Sequence, residues 1–241
     1  MRYAIKKEVK IKKIIKKNIW NFTWLVIRPV LIFFCRFEVR GKENLLNLKK
    51  PFIIAAAIHT NYADPFIAAA AFPFNSDFFP IRYMIKARIF DKPVLKWILK
   101  VYGGFRVEYN IGIKNSLREA ISLAGNGEVV GIFVEGGISI NGEFNGAKPG
   151  AAYLALKTGI PVLPLALSGT FRLNFLNLFF RRNKVAVSFG QPIFANISKL
   201  PYNNNNNLTK EENVEFLRKI IENELRKLLY EYKTKNFNNR R

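Results

Sequence analysis

The sequence predicts an α/β fold: a mixed, mainly parallel central sheet flanked by helices, preceded by an amphipathic and apolar helical segment that associates with a membrane. Three observations predict it. Short runs rich in Ile, Val and Phe alternate with stretches of helical periodicity, the pattern of strand–crossover–strand units. The connections between runs are long enough for parallel crossovers. The 241 residues are 49% hydrophobic and only 23% charged, which is enough apolar surface to offset the chain entropy of one large domain and excludes a disordered chain.

The first element is basic. Residues 2–17 carry Arg2, Lys6, Lys7, Lys10, Lys12, Lys13, Lys16 and Lys17 against one acid, Glu8, and Ile5, Val9, Ile11, Ile14 and Ile15 recur among them at helical spacing. The apolar run 19–34 follows, with Trp20, Phe22 and Trp24 in its first half. It falls short of the about 20 apolar residues that a membrane span needs, and Arg28 and Pro29 interrupt it, so a kink is expected there. No small-residue cleavage site follows it. The reading is a helix, or a kinked pair, lying in the membrane interface. Its Lys and Arg would meet anionic headgroups, with Trp and Phe at the acyl boundary. The other reading is a basic helix packed on the protein's own core. The expected division is a membrane-association segment over 1–35 and an α/β domain over 36–241.

Strands are expected at 37–41, 51–57, 81–85, 105–107, 128–134, 162–167 and 185–189, all short and, after the first, rich in apolar residues. Ile113, Leu117, Ala120, Ile121 and Ala124 share a helical face that Gly125-Asn126-Gly127 ends. Pro149 suits the first turn of a helix over 150–158. Thr209-Lys210-Glu211-Glu212 is a capping-box pattern, and Val214, Leu217, Ile221, Leu225 and Leu228 mark the buried face of the helix it starts. The polar run 203–207 reads as a surface loop.

The 39 Lys and Arg against 17 Asp and Glu leave a net charge of +22, which calls for nucleic acid, an anionic membrane or negatively charged substrates. A single cysteine, Cys35, excludes an internal disulfide and a Cys-based zinc site; in its apolar setting it reads as a buried, inert thiol. A single histidine, His59, excludes a multi-histidine metal cluster.

That histidine has an aspartate five positions on, in His59-Thr60-Asn61-Tyr62-Ala63-Asp64. With three aspartates in the chain, chance puts one at a given position about 1% of the time. The pair follows a predicted strand, where sites of parallel α/β sheets are built. Imidazole accepts a proton from a hydroxyl near neutral pH, and a carboxylate fixes its tautomer and stabilises the imidazolium. Equally, the carboxylate could cap the helix that Asp64-Pro65 starts. No serine lies in a Gly-x-Ser-x-Gly elbow, so the histidine would act directly on a substrate hydroxyl.

The His-x4-Asp segment resembles the first motif of the glycerolipid acyltransferases, and four further pieces follow in order. Gly103-Gly104-Phe105-Arg106-Val107 resembles the second motif and Phe133-Val134-Glu135-Gly136-Gly137-Ile138-Ser139 the third. Lys148-Pro149-Gly150-Ala151 resembles the family's Lys-x-Gly-Ala turn, and Ile160-Pro161-Val162-Leu163-Pro164 its fourth motif. Lys86 resembles the basic residue after the second core strand. The resemblance covers about residues 36–192. It implies His59 and Asp64 as catalytic residues, with Glu135, Gly136, Gly137, Arg106, Lys86 and Lys148 on the substrate. It implies transfer of a fatty acyl group from acyl-CoA or acyl-carrier protein to a lysophospholipid hydroxyl in phospholipid biosynthesis, without a cofactor or metal. The setting would be the cytoplasmic face of an anionic membrane, with no nucleic-acid partner. Two departures, Tyr109 and Ile138 at places where the family has arginine, leave two alternatives open: acyl transfer to a different lipid or amphipathic alcohol, or a non-catalytic basic membrane-binding protein.

Overall fold

A computed structural model describes residues 2–173, 184–195 and 209–238, with side chains over 11–173, 184–195 and 209–234. The run 203–207 lies outside the described residues. The elements, in order, are helix α1 (Arg2–Cys35), β1 (Glu38–Arg40), a 3-10 turn (Lys42–Leu45), β2 (Ile53–Ala57), α2 (Asp64–Ala70) and β3 (Ile81–Lys86). Then come α3 (Ala87–Phe90), α4 (Pro93–Val101), β4 (Phe105–Val107), α5 (Ile113–Ser116), α6 (Arg118–Gly125) and β5 (Val129–Phe133). The last are α7 (Gly150–Thr158), β6 (Val162–Ser168), β7 (Ala186–Phe189) and α8 (Lys210–Asn238).

The strands form one seven-stranded sheet in the order β1-β7-β6-β2-β5-β3-β4. Every neighbouring pair is parallel except β6 with β7. β2 sits at the centre and is buried along its whole length, which is why Ile53-Ile54-Ala55-Ala56-Ala57 is a continuous apolar run and not an alternating one. Its side chains divide by parity. Ile54 and Ala56 join the core under α1 and α2; Ile53, Ala55 and Ala57 join the core under α6, α7 and α8. The seven expected strands are all present, with ends within two residues of the expected ones.

The capping box at the start of α8 is formed: Thr209 N donates to Glu212 Oε2 (2.7 Å) and Glu212 N to Thr209 Oγ1 (3.3 Å). Leu217, Ile221, Leu225 and Leu228 are buried as their spacing requires. Two expectations need correcting. The helix expected across 113–124 is broken at Leu117, which turns its side chain into the core with a non-helical backbone (φ −96°, ψ 4°). And α1 runs unbroken through Pro29.

That continuity changes the account of the first segment. The stretch Ile11–Cys35, 25 residues, is long and apolar enough to cross a membrane by length and composition. Yet one side of it is packed on the sheet domain. Trp20 and Trp24, expected at an acyl boundary, instead face inward. Trp20 is 2% exposed, stacks on Phe79 (5.7 Å, 5°) and donates its indole N–H to the Tyr102 carbonyl (3.0 Å). Trp24 donates to the Phe72 carbonyl (2.9 Å), and Arg28 to that of Ala70 while lying over the Trp24 ring. Leu31 and Cys35 complete this buried side, and burial pushes the Cys35 thiol pKa up, as an inert thiol requires. The opposite side leaves Ile11, Ile14, Ile15, Phe22, Leu25, Val26, Ile32 and Phe33 exposed. Because Trp20 is a core residue of the α/β domain, Trp20→Ala should lower unfolding free energy by about 3–5 kcal/mol in urea titrations. A loss under about 1 kcal/mol would mean that α1 contributes nothing to that core.

Candidate active site

The site forms where β2, β3 and β5 end, at the carboxyl edge of the parallel sheet. β2 stops at Ala57, and Ile58 takes a left-handed backbone (φ 62°), a conformation that costs a β-branched residue about 1–3 kcal/mol. The turn is held from the neighbouring strand. Glu135, just past β5, accepts N–H bonds from Ile58 (3.1 Å) and His59 (3.3 Å) on Oε2, and from Asn145 (3.1 Å) on Oε1. The Ser139 N–H donates to the His59 carbonyl. The third motif thus clamps the first.

The clamp presents the His59 ring against the face of Phe133 (4.1 Å, 20°), with Tyr83 stacked on the other side of Phe133 (5.8 Å, 23°). The Tyr83 ring lies across Gly131, where a Cβ would sit 2.4 Å from it, so glycine is required. His59 Nδ1 is 3.0 Å from Asp64 Oδ2. The Asp64 side chain is fully buried, and the same oxygen accepts N–H bonds from Thr60 (2.6 Å) and Asn61 (2.8 Å). The other oxygen, Oδ1, is buried without a hydrogen-bond partner among the described residues. An imidazole in the Nδ1–H tautomer would donate to Oδ2 and leave its Nε2 lone pair to accept. Asp64 does not cap α2, whose N-cap position is Ala63; it fixes the loop that carries the histidine.

His59 lies between two recesses. An apolar pocket, ≈ 120 Å³, is walled by Trp20, Phe66, Tyr83, Ile85, Leu99 and Phe133. The Tyr83 hydroxyl lies buried there without a hydrogen-bond partner among the described residues; burial, then the Asp64 charge, raise its pKa well above the usual tyrosine range. A wider cleft, ≈ 330 Å³, is bordered by Lys86, Arg88, Tyr109, Gly136, Gly137 and Ile138. Lys86 and Lys148 reach over the Tyr109 ring (5.4 and 5.8 Å). Glycine makes room for both lysines: a Cβ on Gly137 would lie 3.1 Å from Lys86 Nζ, and one on left-handed Gly136 3.0 Å from Lys148 Nζ. Among the described residues no acid pairs with Lys86, Arg88 or Lys148. Desolvation first, then repulsion from Arg88 and Lys148, lower the Lys86 pKa.

The structure brings His59, Asp64, Lys86, Gly136, Gly137 and Lys148 together around these recesses, with Glu135 directly behind the histidine. Arg106 lies elsewhere. Its guanidinium is held by Asp91 (3.0 Å) and Glu108 (2.6 Å), and it borders a separate surface groove. Sequence reasoning did not single out Arg88, Phe133 or Tyr83 as site residues. Lys86 and Arg88, two apart, both reach the cleft, and Phe133 precedes Glu135 by two; nothing in the sequence alone marks Tyr83.

Fold and site together define an α/β protein that sets a histidine, bonded to a buried aspartate, between an apolar slot and a cationic cleft at the edge of a parallel sheet. The chain belongs to the Acyltransferase family, whose sequence profile matches residues 36–168. It is 28% identical over 166 residues to a 1-acyl-sn-glycerol-3-phosphate acyltransferase of Bacillus subtilis, covering 68% of this chain and 77% of that one. It is 27% identical over 140 residues to a chloroplastic protein of the same name from Brassica napus (57% of this chain, 38% of that protein). With the corresponding probable enzyme of Mycoplasma genitalium it shares 25% over 148 residues, or 61% and 52% of the two chains. The match thus spans about two fifths of the Brassica protein and half of the Mycoplasma one. The fold is similar to the crystal structure of the 1-acyl-sn-glycerophosphate acyltransferase PlsC from Thermotoga maritima. The TM-score is 0.62 at 23% identity, over 92% of this chain and 82% of that one.

Proposed function

We propose that this protein is an O-acyltransferase that moves a fatty acyl group from an acyl thioester to the hydroxyl of a lysophospholipid such as 1-acylglycerol-3-phosphate. The observation that carries the reading is the His59–Asp64 pair standing between an apolar slot and an unpaired cationic cleft, since an amphipathic phosphate ester needs both. His59 Nε2 takes the proton from the acceptor hydroxyl while Asp64 stabilises the imidazolium. The hydroxyl oxygen attacks the thioester carbonyl carbon and gives a tetrahedral oxyanion. Collapse breaks the C–S bond; the thiolate leaves and takes the proton from His59, so ester and thiol are the products. Acyl-CoA and acyl-carrier protein are the donors in this reading. Lys86, Arg88 and Lys148 take the acceptor phosphate, the backbone at Gly136 and Gly137 lies alongside it, and Glu135 positions His59.

The setting is the cytoplasmic face of an anionic membrane, on which α1 lies with its exposed apolar side in the lipid interface. Its other side is committed to the domain from Trp20 to Cys35, so it rests on the bilayer instead of crossing it. A second reading, an amphipathic alcohol without phosphate as acceptor, is favoured by Tyr109 and Ile138 at the places of expected arginines, because neither grips phosphate bidentately.

Thioester consumption on vesicles with a panel of lysolipid and alcohol acceptors, followed by mass spectrometry of the products, separates the two. A phosphate-bearing acceptor should be preferred. Lys86→Met should raise its KM about 10–100-fold, the weight of one charged hydrogen bond, with a smaller effect on kcat. Acceptor affinity should weaken as pH rises through a Lys86 pKa below the ordinary lysine value, because the neutral amine loses its charge. A phosphate-free acceptor that works better would select the second reading, and no thioester turnover with any acceptor would defeat both.

A further inference from the structure

We propose that α4 is a second membrane-inserting element, one that lies in an anionic bilayer surface beside α1. This rests on the membrane setting proposed above. The helix occupies an unusual position for its composition. Val94, Trp97, Ile98 and Val101 fall at i, i+3, i+4 and i+7 and so share one side, yet Val94 is 76% exposed and Trp97 71%. No residue of α4 is buried. A core-packed helix turns such a stripe inward; this one turns it out.

Three features commit that stripe to lipid. The first is charge. Lys96 and Lys100 lie on the side of the helix turned away from the stripe, with Lys92 at its N-cap, and none of the three is paired with an acid among the described residues. The nearest acid in sequence, Asp91, is held by Arg106 on β4. A tryptophan among aliphatic residues on one side, with lysines on the opposite polar side, matches a helix lying in the interface of an anionic bilayer with its indole at headgroup level. The second is continuity. The chain leaving α4 abuts the middle of α1, with the Tyr102 carbonyl accepting from Trp20 and the Tyr102 hydroxyl bonded to Thr23 Oγ1 (2.9 Å). On that part of α1 the outward residues are Phe22, Leu25 and Val26. The third is what lies behind the helix. Leu99, on the inner side of α4, walls the apolar pocket that ends at His59. With the outer side in lipid, only the thickness of this helix separates the acyl region of the bilayer from the pocket.

The single cysteine makes a direct test possible, because Cys35 is fully buried and leaves an introduced thiol as the accessible one. An environment-sensitive fluorophore would be attached to Trp97→Cys and, separately, to Phe22→Cys, with circular dichroism confirming both folds. On adding phosphatidylglycerol vesicles, emission from position 97 should shift to shorter wavelength and be quenched by lipids spin-labelled near the headgroup. The paired change Val94→Glu with Trp97→Glu should weaken vesicle partition about 10-fold or more. If position 22 responds and position 97 keeps its aqueous emission, α4 is not in the bilayer and the proposal fails while the role of α1 stands. If neither responds and the protein does not sediment with vesicles, the membrane setting fails and this proposal with it. A shift at position 97 without lipid that grows with protein concentration would assign the stripe to a second copy of the chain, and would also overturn the proposal.

Discussion

His59→Ala should lower kcat for acyl transfer by about 10²–10⁴-fold, the usual contribution of a general base. No other side chain at the site can take over. Among the described residues that border both recesses, His59 is the one with an imidazole. The fold should survive the change. The loop is held through backbone groups, by Glu135 on the Ile58 and His59 amides and by Asp64 on the Thr60 and Asn61 amides, and alanine keeps all four. Stopped-assay rates with saturating donor and acceptor, beside a thermal melt, check this. A folded variant that transfers acyl groups at the parental rate would remove His59 from the mechanism.

The second large effect is expected at Asp64. All three of its donors converge on Oδ2, so an asparagine can put its amide oxygen there and keep the loop and the Nδ1–H tautomer. What Asp64→Asn loses is the negative charge facing the imidazolium that forms as the hydroxyl is deprotonated. The expected fall in kcat is about 10²–10³-fold, short of the about 10⁴-fold seen where such a change also inverts the tautomer. Asp64→Ala should also lose stability, because two part-buried backbone N–H groups lose their acceptor, at up to about 1–3 kcal/mol each. Equal melting behaviour of the two variants would show that the amide bonds to Asp64 do not hold the loop, and unchanged kcat in Asp64→Asn would show that the charge is idle.

The central strands were readable because β2 and β6 are buried on both faces. Ile53–Ala57 is a continuous apolar run, and the run from Val162 to Leu167 is broken only by Pro164. The final helix was legible for a different reason, since its cap is local and its buried face repeats at helical spacing. α4 was missed although Pro93 at its first turn and the spacing of Val94, Trp97, Ile98 and Val101 announce a helix. Its true direction was beyond the sequence, because periodicity marks an apolar side without saying whether core or lipid covers it. At the site, the His59–Asp64 pair is local and could be read from six consecutive residues. The clamp from Glu135 is not: its partners at Ile58 and His59 lie 77 and 76 positions away. Arg106 shows the opposite failure, a cation near motif residues whose charge is spent on Asp91 and Glu108.

The inner side of α1 has a consequence in time. Its partners come late in the chain: the carbonyl that Trp24 reaches is 48 residues downstream, and the one that Trp20 reaches is 82. At about 5–20 residues per second, synthesis leaves Trp20 without the carbonyl it bonds for about 4–16 s. During that interval both sides of the helix are apolar surfaces without cover. A nearby bilayer and the unfinished sheet then compete for the same tryptophans, and the order in which they win decides whether the protein folds before it reaches the membrane or upon it.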